Sequence, residues 1–244
     1  MVKHARIAST GTVITAVKYG PGKDGGIVLA ADTTSIIGDD EIWNSGHKKI
    51  MPLGKGTAIG FAGKLGDAQQ IYDILSETLD ETKNKLAAEK KESGGKVGKK
   101  NADELLESSD ILLTLISRAI RPLGKKSDFD LLTLCATFTQ YESTIATFDS
   151  SAGMAVHEAC AAVGSGGLPA NVIIKDFFRN RQVKSVKKEE ALELTMRALF
   201  GASQNNISIR DPRTAPPMIV MIDKDGYREL KNSEIRSAIK KYLP

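Results

Sequence analysis

Ser9-Thr10-Gly11-Thr12-Val13-Ile14-Thr15-Ala16-Val17-Lys18-Tyr19, with Asp24-Gly25-Gly26-Ile27-Val28-Leu29-Ala30-Ala31-Asp32 close behind it, sets the frame for everything that follows in the chain. Successive side chains of an extended strand point to opposite faces, so Val13, Thr15, Val17 and Tyr19 share one face. Residues 27–31 are a short apolar run rich in β-branched side chains, the pattern of a buried strand. Gly20-Pro21-Gly22 between the two runs is turn chemistry. The pair therefore reads as a hairpin. A hairpin of this kind is ordinary scaffold and does not by itself demand any chemistry.

Working outward, residues 33–44 are polar and read as irregular, with Gly38-Asp39-Asp40 as a turn. Residues 48–52 and 56–61 read as a second strand pair. A helix opens at Leu65, where Ala68, Ile71, Tyr72, Leu75 and Leu79 recur every three or four residues, and it continues to about Lys90. Residues 89–101 are rich in Lys and Gly, with Gly94-Gly95 in the middle, and read as a solvated loop. A second helix is expected over 102–120, stopped by Arg121-Pro122-Leu123-Gly124. Residues 128–140, 143–148 and 154–163 read as three strands, the first buried on both faces. Residues 169–180 and 188–204 carry helical patterns, the latter with Ala191, Leu192, Thr195, Leu199 and Ala202 as its packed stripe. Residues 218–222 and 227–230 close the strand set, and 233–242 reads as a last helix capped by Ser233.

Strands and helices come in separate runs, so the fold class is α+β, with largely antiparallel sheets and helices on their outer faces. The chain has 244 residues, of which 41% are hydrophobic and 26% charged, which suits one sizeable globular domain. The formal net charge of +4 is small and its lysines cluster locally, so no nucleic-acid partner is expected. No stretch is long enough to span a bilayer, so no membrane is expected either. Cys135 and Cys160 sit in apolar segments without disulfide or metal spacing, which points to buried thiols in a reducing compartment. His4, His47 and His157 show no triad or metal pattern. The first residues lack the apolar run of a secretory signal and read as a tail or a short propeptide.

Gly11-Thr12-Val13-Ile14, then 16–19, then 24–32 resemble the opening of a proteasome β subunit, a member of the N-terminal-nucleophile hydrolases. In that family a propeptide ends in Gly, the mature chain begins with Thr, and a strand pair leads to an Asp. The resemblance continues through His47-Lys48-Lys49-Ile50, Gly60-Phe61-Ala62-Gly63-Lys64-Leu65-Gly66-Asp67-Ala68-Gln69, Gly164-Ser165-Gly166-Gly167 and Asp223-Lys224-Asp225-Gly226-Tyr227. Each tripeptide alone is weak. Their shared order and near-family spacing, over almost the whole chain with interruptions, are specific. The resemblance implies a four-layer αββα sandwich of two antiparallel sheets between helix layers, with 1–11 as propeptide and 12–244 as the hydrolase domain.

It also implies roles. Thr12 would be the nucleophile, activated by the α-amine that scission after Gly11 creates; Thr10, preceded by Ser9, fits less well. Asp32 and Lys49 would be its partners, the lysine favouring a developing alkoxide and the aspartate holding the lysine. Lys48 competes with Lys49 and reads as solvated. Gly63 would supply an oxyanion N–H, and Ser165 would support the nucleophile by hydrogen bonding. Asp211 and Thr214 fit the family's Arg-Asp-x-x-Ser spacing, although Pro212, Pro216 and Pro217 are unusual there. Phe61 would floor the pocket for the residue before the cut, with Leu65 and Met51 as walls. No metal or cofactor is implied.

The implied function is threonine endopeptidase activity on unfolded polypeptides, in the cytoplasm. The implied partners are proteasome α subunits and other β subunits in stacked seven-membered rings, fed by an ATP-dependent unfoldase. The short N-terminal segment argues for a β rather than an α subunit. The alternatives are a non-catalytic ring-forming β subunit and a related self-compartmentalising hydrolase or transpeptidase. Departures from the family pattern are Val13, the Gly20-Pro21-Gly22-Lys23 insertion and the Lys-rich segment.

Overall fold

Val13, Val17 and Tyr19 alternate with Ile14 and Ala16, and that alternation decides which layer each side chain enters. Strand β1 (Ile14–Tyr19) pairs antiparallel with β2 (Gly26–Ala31), Ile14 opposite Ala31 and Tyr19 opposite Gly26. The connection reverses at Gly20, whose φ of 65° is easily reached only by glycine, and passes through a 3-10 turn at Gly22–Asp24. The family-atypical insertion is thus absorbed at the hairpin tip.

This is a computed structural model, and it describes residues 11–37, 41–44, 48–92, 109–125, 129–139 and 142–244. The remaining elements follow in chain order. They are β3 (Thr34–Ile37), β4 (Glu41–Asn44), β5 (Ile50–Gly54), β6 (Thr57–Gly63), α1 (Leu65–Glu92) and α2 (Ser109–Leu123). Then come β7 (Leu131–Phe138), β8 (Ser143–Phe148), β9 (Met154–His157), β10 (Cys160–Val163), α3 (Gly167–Phe178) and α4 (Lys188–Asn205). Strands β11 (Met218–Asp223) and β12 (Gly226–Glu229) and helix α5 (Asn232–Tyr242) end the chain.

One sheet has the order β10-β1-β2-β11-β12 and the other β5-β6-β7-β8-β9, with every pair antiparallel. Ile14, Ala16, Leu29 and Ala31 of the first sheet meet Ile50, Ala58, Leu134 and Ile145 of the second in a sealed seam. Alternating large and small side chains let the two faces interdigitate. The outer face of the first sheet, with Val13, Val17 and Val28, is covered by Ala170 and Ile174 of α3, Leu194 and Leu199 of α4, and Ile235 of α5. The outer face of the second, with Ile59, Phe61 and Cys135, is covered by Ile71 and Leu75 of α1 and Leu112 and Ile116 of α2. Burying one such Ile or Leu contributes about 1.5–3 kcal/mol, so three continuous apolar layers fix the register of both sheets. The result is an α+β sandwich of two antiparallel sheets between helix layers.

Several expectations need correction. Residues 33–44 are not irregular: β3 and β4 form a two-stranded sheet of their own, Ser35 opposite Trp43. The 154–163 run is not one strand. The chain bends at Glu158-Ala159, so β9 pairs with β8 in one sheet and β10 with β1 in the other. The residues before the bend are mostly exposed and those after it are buried. β7 is not buried throughout, because Leu132 is 38% exposed. Helix α2 runs three residues past Ile120 and ends at Leu123, within the expected stop, with Pro122 in its last turn. The last helix begins at Asn232, not Ser233, and its exposed end is held by the Lys231 N–H donating to Glu234 Oε2 at 2.8 Å. The expected tail or propeptide up to residue 10, the Gly38-Asp39-Asp40 turn, the Lys-rich segment beyond Glu92 and the expected start of the second helix lie outside the described residues, as do His4 and His47.

Candidate active site

The antiparallel register of β1 and β2 brings the residues just before one strand beside those just after the other. Val13 N–H donates to Asp32 Oδ1 at 2.9 Å, and Asp32 N–H donates back to the Val13 carbonyl at 3.2 Å. Asp32 Oδ2 accepts from Thr34 N–H at 3.2 Å. The carboxylate is therefore locked in place by backbone donors on both oxygens. Lys49 comes from the other sheet, immediately before β5. Its ammonium lies 3.0 Å from each Asp32 oxygen, 3.0 Å from Thr12 Oγ1 and 3.5 Å from the Gly11 carbonyl oxygen.

An ammonium carries three protons, and these acceptors take all three. Thr12 Oγ1 receives one, so its own hydroxyl proton is left to point elsewhere. The Lys49 side chain is 11% exposed and that of Asp32 6%, so the pair is nearly out of water. Burial pulls the Lys49 ammonium below its ordinary 10.5, and the Asp32 charge and hydrogen bonds oppose that only in part. Lys48, its neighbour, points the other way: it is 60% exposed and paired with Glu229 at 2.7 Å.

The loop between β10 and α3 wraps the backbone of Thr12. Thr12 N–H donates to Ser165 Oγ at 3.1 Å, Ser165 Oγ lies 3.4 Å from the Thr12 carbonyl oxygen, and Gly166 N–H donates to that carbonyl at 3.1 Å. Gly164 has a φ of 94°, and a Cβ there would collide with the Thr12 carbonyl and reach 3.2 Å from the Ala62 Cβ. Only glycine allows this approach. Strand β6 thus reaches the Thr12 turn at Ala62, and Gly63, with a φ of 146°, is the next residue. A Cβ on Gly11 would run into Ser208, so the backbone before Thr12 is also closely packed.

Thr12, Asp32, Lys49 and Ser165 are therefore brought together, with Gly11 against them and Gly63 one residue beyond the contact. The structure gives Asp211 and Thr214 other partners. Asp211 is clasped by Arg213, with Nη2 to Oδ2 at 2.7 Å, Nε to the two oxygens at 3.1 and 3.0 Å and the backbone N–H at 2.8 Å. Those hydrogen bonds hold its carboxyl below the usual carboxylate range. Thr214 Oγ1 donates to the Asp211 carbonyl at 3.0 Å. The arginine two residues on thus captures the carboxylate, while its Nη1 donates to the Pro244 carbonyl at 2.8 Å. The residue that does reach Ser165 from this part of the chain is Asn206, whose Nδ2 lies 3.1 Å from Ser165 Oγ.

Phe61 is 5% exposed and packs in the core beneath α1, where Met51 packs half-buried against the same group. Phe61 N–H donates to the Lys49 carbonyl at 3.0 Å, which ties this strand pair to the lysine. Leu65, at the first position of α1, is 51% exposed and stands outside that group. Cys135 and Cys160 are buried free thiols whose burial pushes them up to about 12 and about 11. His157 is half-buried and shares a 2.8 Å hydrogen bond with Thr147. Among the described residues no helix is long and apolar enough to cross a membrane.

The two-sheet, helix-covered sandwich has the architecture of the N-terminal-nucleophile class of fold. A family model described as "Proteasome subunit" matches residues 8–96, which span the hairpin, Asp32, Lys49 and all of α1. Individual relatives extend the match over most of the chain. The chain is 25% identical over 231 residues to a proteasome subunit beta of Acidimicrobium ferrooxidans, covering 92% of this chain and 76% of that one. It is 26% identical to proteasome subunit beta 2 of Thermococcus kodakarensis, covering 84% and 88%, and 24% identical to proteasome subunit beta type-7 of Saccharomyces cerevisiae, covering 97% and 82%. Over most of its length the chain is thus similar to proteasome β subunits.

Proposed function

We propose that the chain is a catalytic β-type subunit of a proteasome core particle, a threonine endopeptidase that cuts unfolded polypeptides at Thr12. The observation that carries this reading is the single ammonium shared by Thr12 Oγ1 and Asp32, out of water, where two sheets meet. A ring-building subunit has no need of a desolvated lysine held against a threonine hydroxyl.

The chemistry follows from these positions. In the uncut chain the Thr12 nitrogen is an amide and cannot act as a base. Attack of Thr12 Oγ1 on the Gly11 carbonyl, with Lys49 close to both oxygens, transfers the acyl group from nitrogen to oxygen; water then hydrolyses the ester and frees an α-amine on Thr12. That amine titrates near ~8, so it is partly neutral at physiological pH. It takes the hydroxyl proton as Oγ1 attacks a substrate carbonyl, while Lys49 stabilises the negative charge growing on Oγ1. The Gly63 N–H would meet the oxyanion. The peptide bond breaks, the leaving amine takes the proton, and the acyl-enzyme ester on Thr12 is resolved by water. Scission after Gly11 is thus also activation, with residues 1–11 as the propeptide.

The family implies stacked rings with α subunits and other β subunits, a chamber fed by an ATP-dependent unfoldase, and a cytoplasmic setting. Intact mass of the assembled protein tests the reading together with hydrolysis of a fluorogenic peptide. Chains that begin at Thr12 and turn over peptide are expected. An assembled ring that keeps residues 1–11 and hydrolyses nothing would make this a ring-forming subunit instead.

A further inference from the structure

The proton balance of the cut says where the departing peptide must lie. The proton that the Thr12 hydroxyl gives to the Thr12 amine is the one the leaving nitrogen takes as the scissile bond breaks. That nitrogen therefore comes within hydrogen-bonding reach of the Thr12 nitrogen. The Thr12 N–H donates to Ser165 Oγ at 3.1 Å, so the residue after the cut lies on the Ser165 side of the threonine.

The turn Asn206–Ile209 adjoins that side. The Asn206 side-chain oxygen accepts the Ser208 N–H at 3.0 Å, and its carbonyl accepts the Ile209 N–H at 3.0 Å. Three of the four side chains are committed inward. Asn206 Nδ2 lies 3.1 Å from Ser165 Oγ. Ser208 stands so close to Gly11 that a Cβ there would collide with it. Ile209 is buried in the layer beneath α4, and a Cβ on Gly166 would run into its Cδ1. Ile207 points outward and is 95% exposed, more than any other large apolar side chain among the described residues. A single exposed isoleucine needs no explanation by itself. Its address supplies one, because it sits between the residue that touches Ser165 and the residue that packs on Gly11.

We propose that Ile207 is a specificity residue for the leaving side: it packs on the side chain that follows the scissile bond and favours an apolar one. The proposal rests on the reading of Thr12 as nucleophile. Ile207 has no donor or acceptor in its side chain, so it returns nothing to a polar partner for the water lost on contact. An apolar partner gains by covering both surfaces. The inward anchors on either side hold the turn ready, so little ordering opposes the contact. The preference is separate from any at Phe61, which would address the residue before the cut.

The test uses internally quenched peptides that share one sequence up to the cut and carry Leu, Ser or Asp after it. A peptide boronate with the same residues before the cut has no leaving side and reports the acyl side alone. Wild type, Ile207→Ser and Ile207→Leu are compared as assembled protein, with rates normalised to chains that begin at Thr12. In wild type and Ile207→Leu, kcat/KM for the Leu peptide should exceed that for the Ser peptide by about fivefold or more, with Asp lowest. In Ile207→Ser the Leu and Ser peptides should come within about twofold of each other, while boronate affinity stays within about twofold of wild type. An undiminished preference for Leu in Ile207→Ser would overturn the proposal, as would equal losses on all three peptides together with weaker boronate binding. Failure of Ile207→Ser to assemble would overturn it too, and would make Ile207 a contact between subunits. A wild-type assembly that cuts none of the peptides and does not bind the boronate would overturn the reading of Thr12 itself.

Discussion

The Lys49 ammonium stands 3.0 Å from the Thr12 hydroxyl oxygen although 37 residues separate them in the chain. Thr12 leads into β1 of the first sheet and Lys49 into β5 of the second, so the contact exists only when the sandwich is closed. Any chemistry at Thr12 would thereby be conditional on complete folding. The same condition applies to the carboxylate, because Asp32 is held by the hairpin and Lys49 is not.

Thr12→Ala removes the oxygen that Lys49 addresses and leaves the surrounding contacts of Ser165 with the backbone. We expect peptide hydrolysis to fall by roughly 10³-fold or more, with the bond after Gly11 left intact. Intact mass and a fluorogenic peptide assay on the assembled protein check both. A variant that still loses residues 1–11 and still cleaves would remove Thr12 from the mechanism.

The two adjacent lysines make a matched pair of controls. Lys49→Ala is expected to abolish turnover while rings still assemble. Lys48→Ala loses only an exposed ion pair with Glu229, and such pairs contribute about 0–1 kcal/mol, so its activity should stay near wild type. Rates and size-exclusion profiles of the two variants decide the matter, and equal losses in both would show that the lysine was misassigned.

Asp32→Asn keeps an acceptor for only one of the Val13 and Thr34 N–H groups and takes away the charge facing Lys49. Removing one partner of a buried pair costs about 3–5 kcal/mol, so a lower melting temperature is expected along with a fall in rate. The pH dependence has a definite sign. Burial already holds Lys49 below 10.5, and Asp32 is what raises it back. Activity that needs the ammonium is present below the Lys49 pKa and is lost as pH rises through it, at a lower pH than for an exposed lysine. Without Asp32 that alkaline limb should move lower still. A pH–rate profile in which Asp32→Asn moves the limb upward would contradict the arrangement.

How much of this could be read from residues alone differs from site to site. The β1–β2 hairpin was legible because alternation in Val13, Thr15 and Val17 is a local signal, whereas Asp32 was singled out by the family resemblance. Choosing Lys49 over Lys48 required the family resemblance, since two adjacent lysines look alike until packing turns one inward. The split between β9 and β10 was hidden because an unbroken strand-like run serves both sheets, and only burial shows where it changes partner. Asp211 and Thr214 matched a spacing, but Arg213 captures the carboxylate locally. Asn206 carried no signal: an asparagine after a helix reads as an ordinary helix end, and its meaning appears only when Ser165 arrives from 41 residues away.

The last expectation concerns what is cut. If Phe61 floors the pocket that receives the side chain before the scissile bond, that floor is a phenyl ring almost buried against α1, with Met51 beside it. Neither offers a charge. Burying an unpaired substrate charge there is costly, whereas filling the pocket with a Leu-sized side chain gains about 1.5–3 kcal/mol. Cleavage after Leu and other apolar residues should therefore exceed cleavage after Arg or Glu, with Trp disfavoured by the shallow floor. Phe61→Ala would deepen the pocket and shift the ranking toward larger side chains. It would also cost about 3–5 kcal/mol of stability, because the ring is core packing as well. Peptides ending in Leu, Tyr, Trp, Arg and Glu, assayed with both forms alongside thermal melts, separate the two effects. Melting that drops while the ranking stays fixed would assign Phe61 to the core alone, and an Arg or Glu peptide cut fastest by the unmodified protein would place the pocket elsewhere.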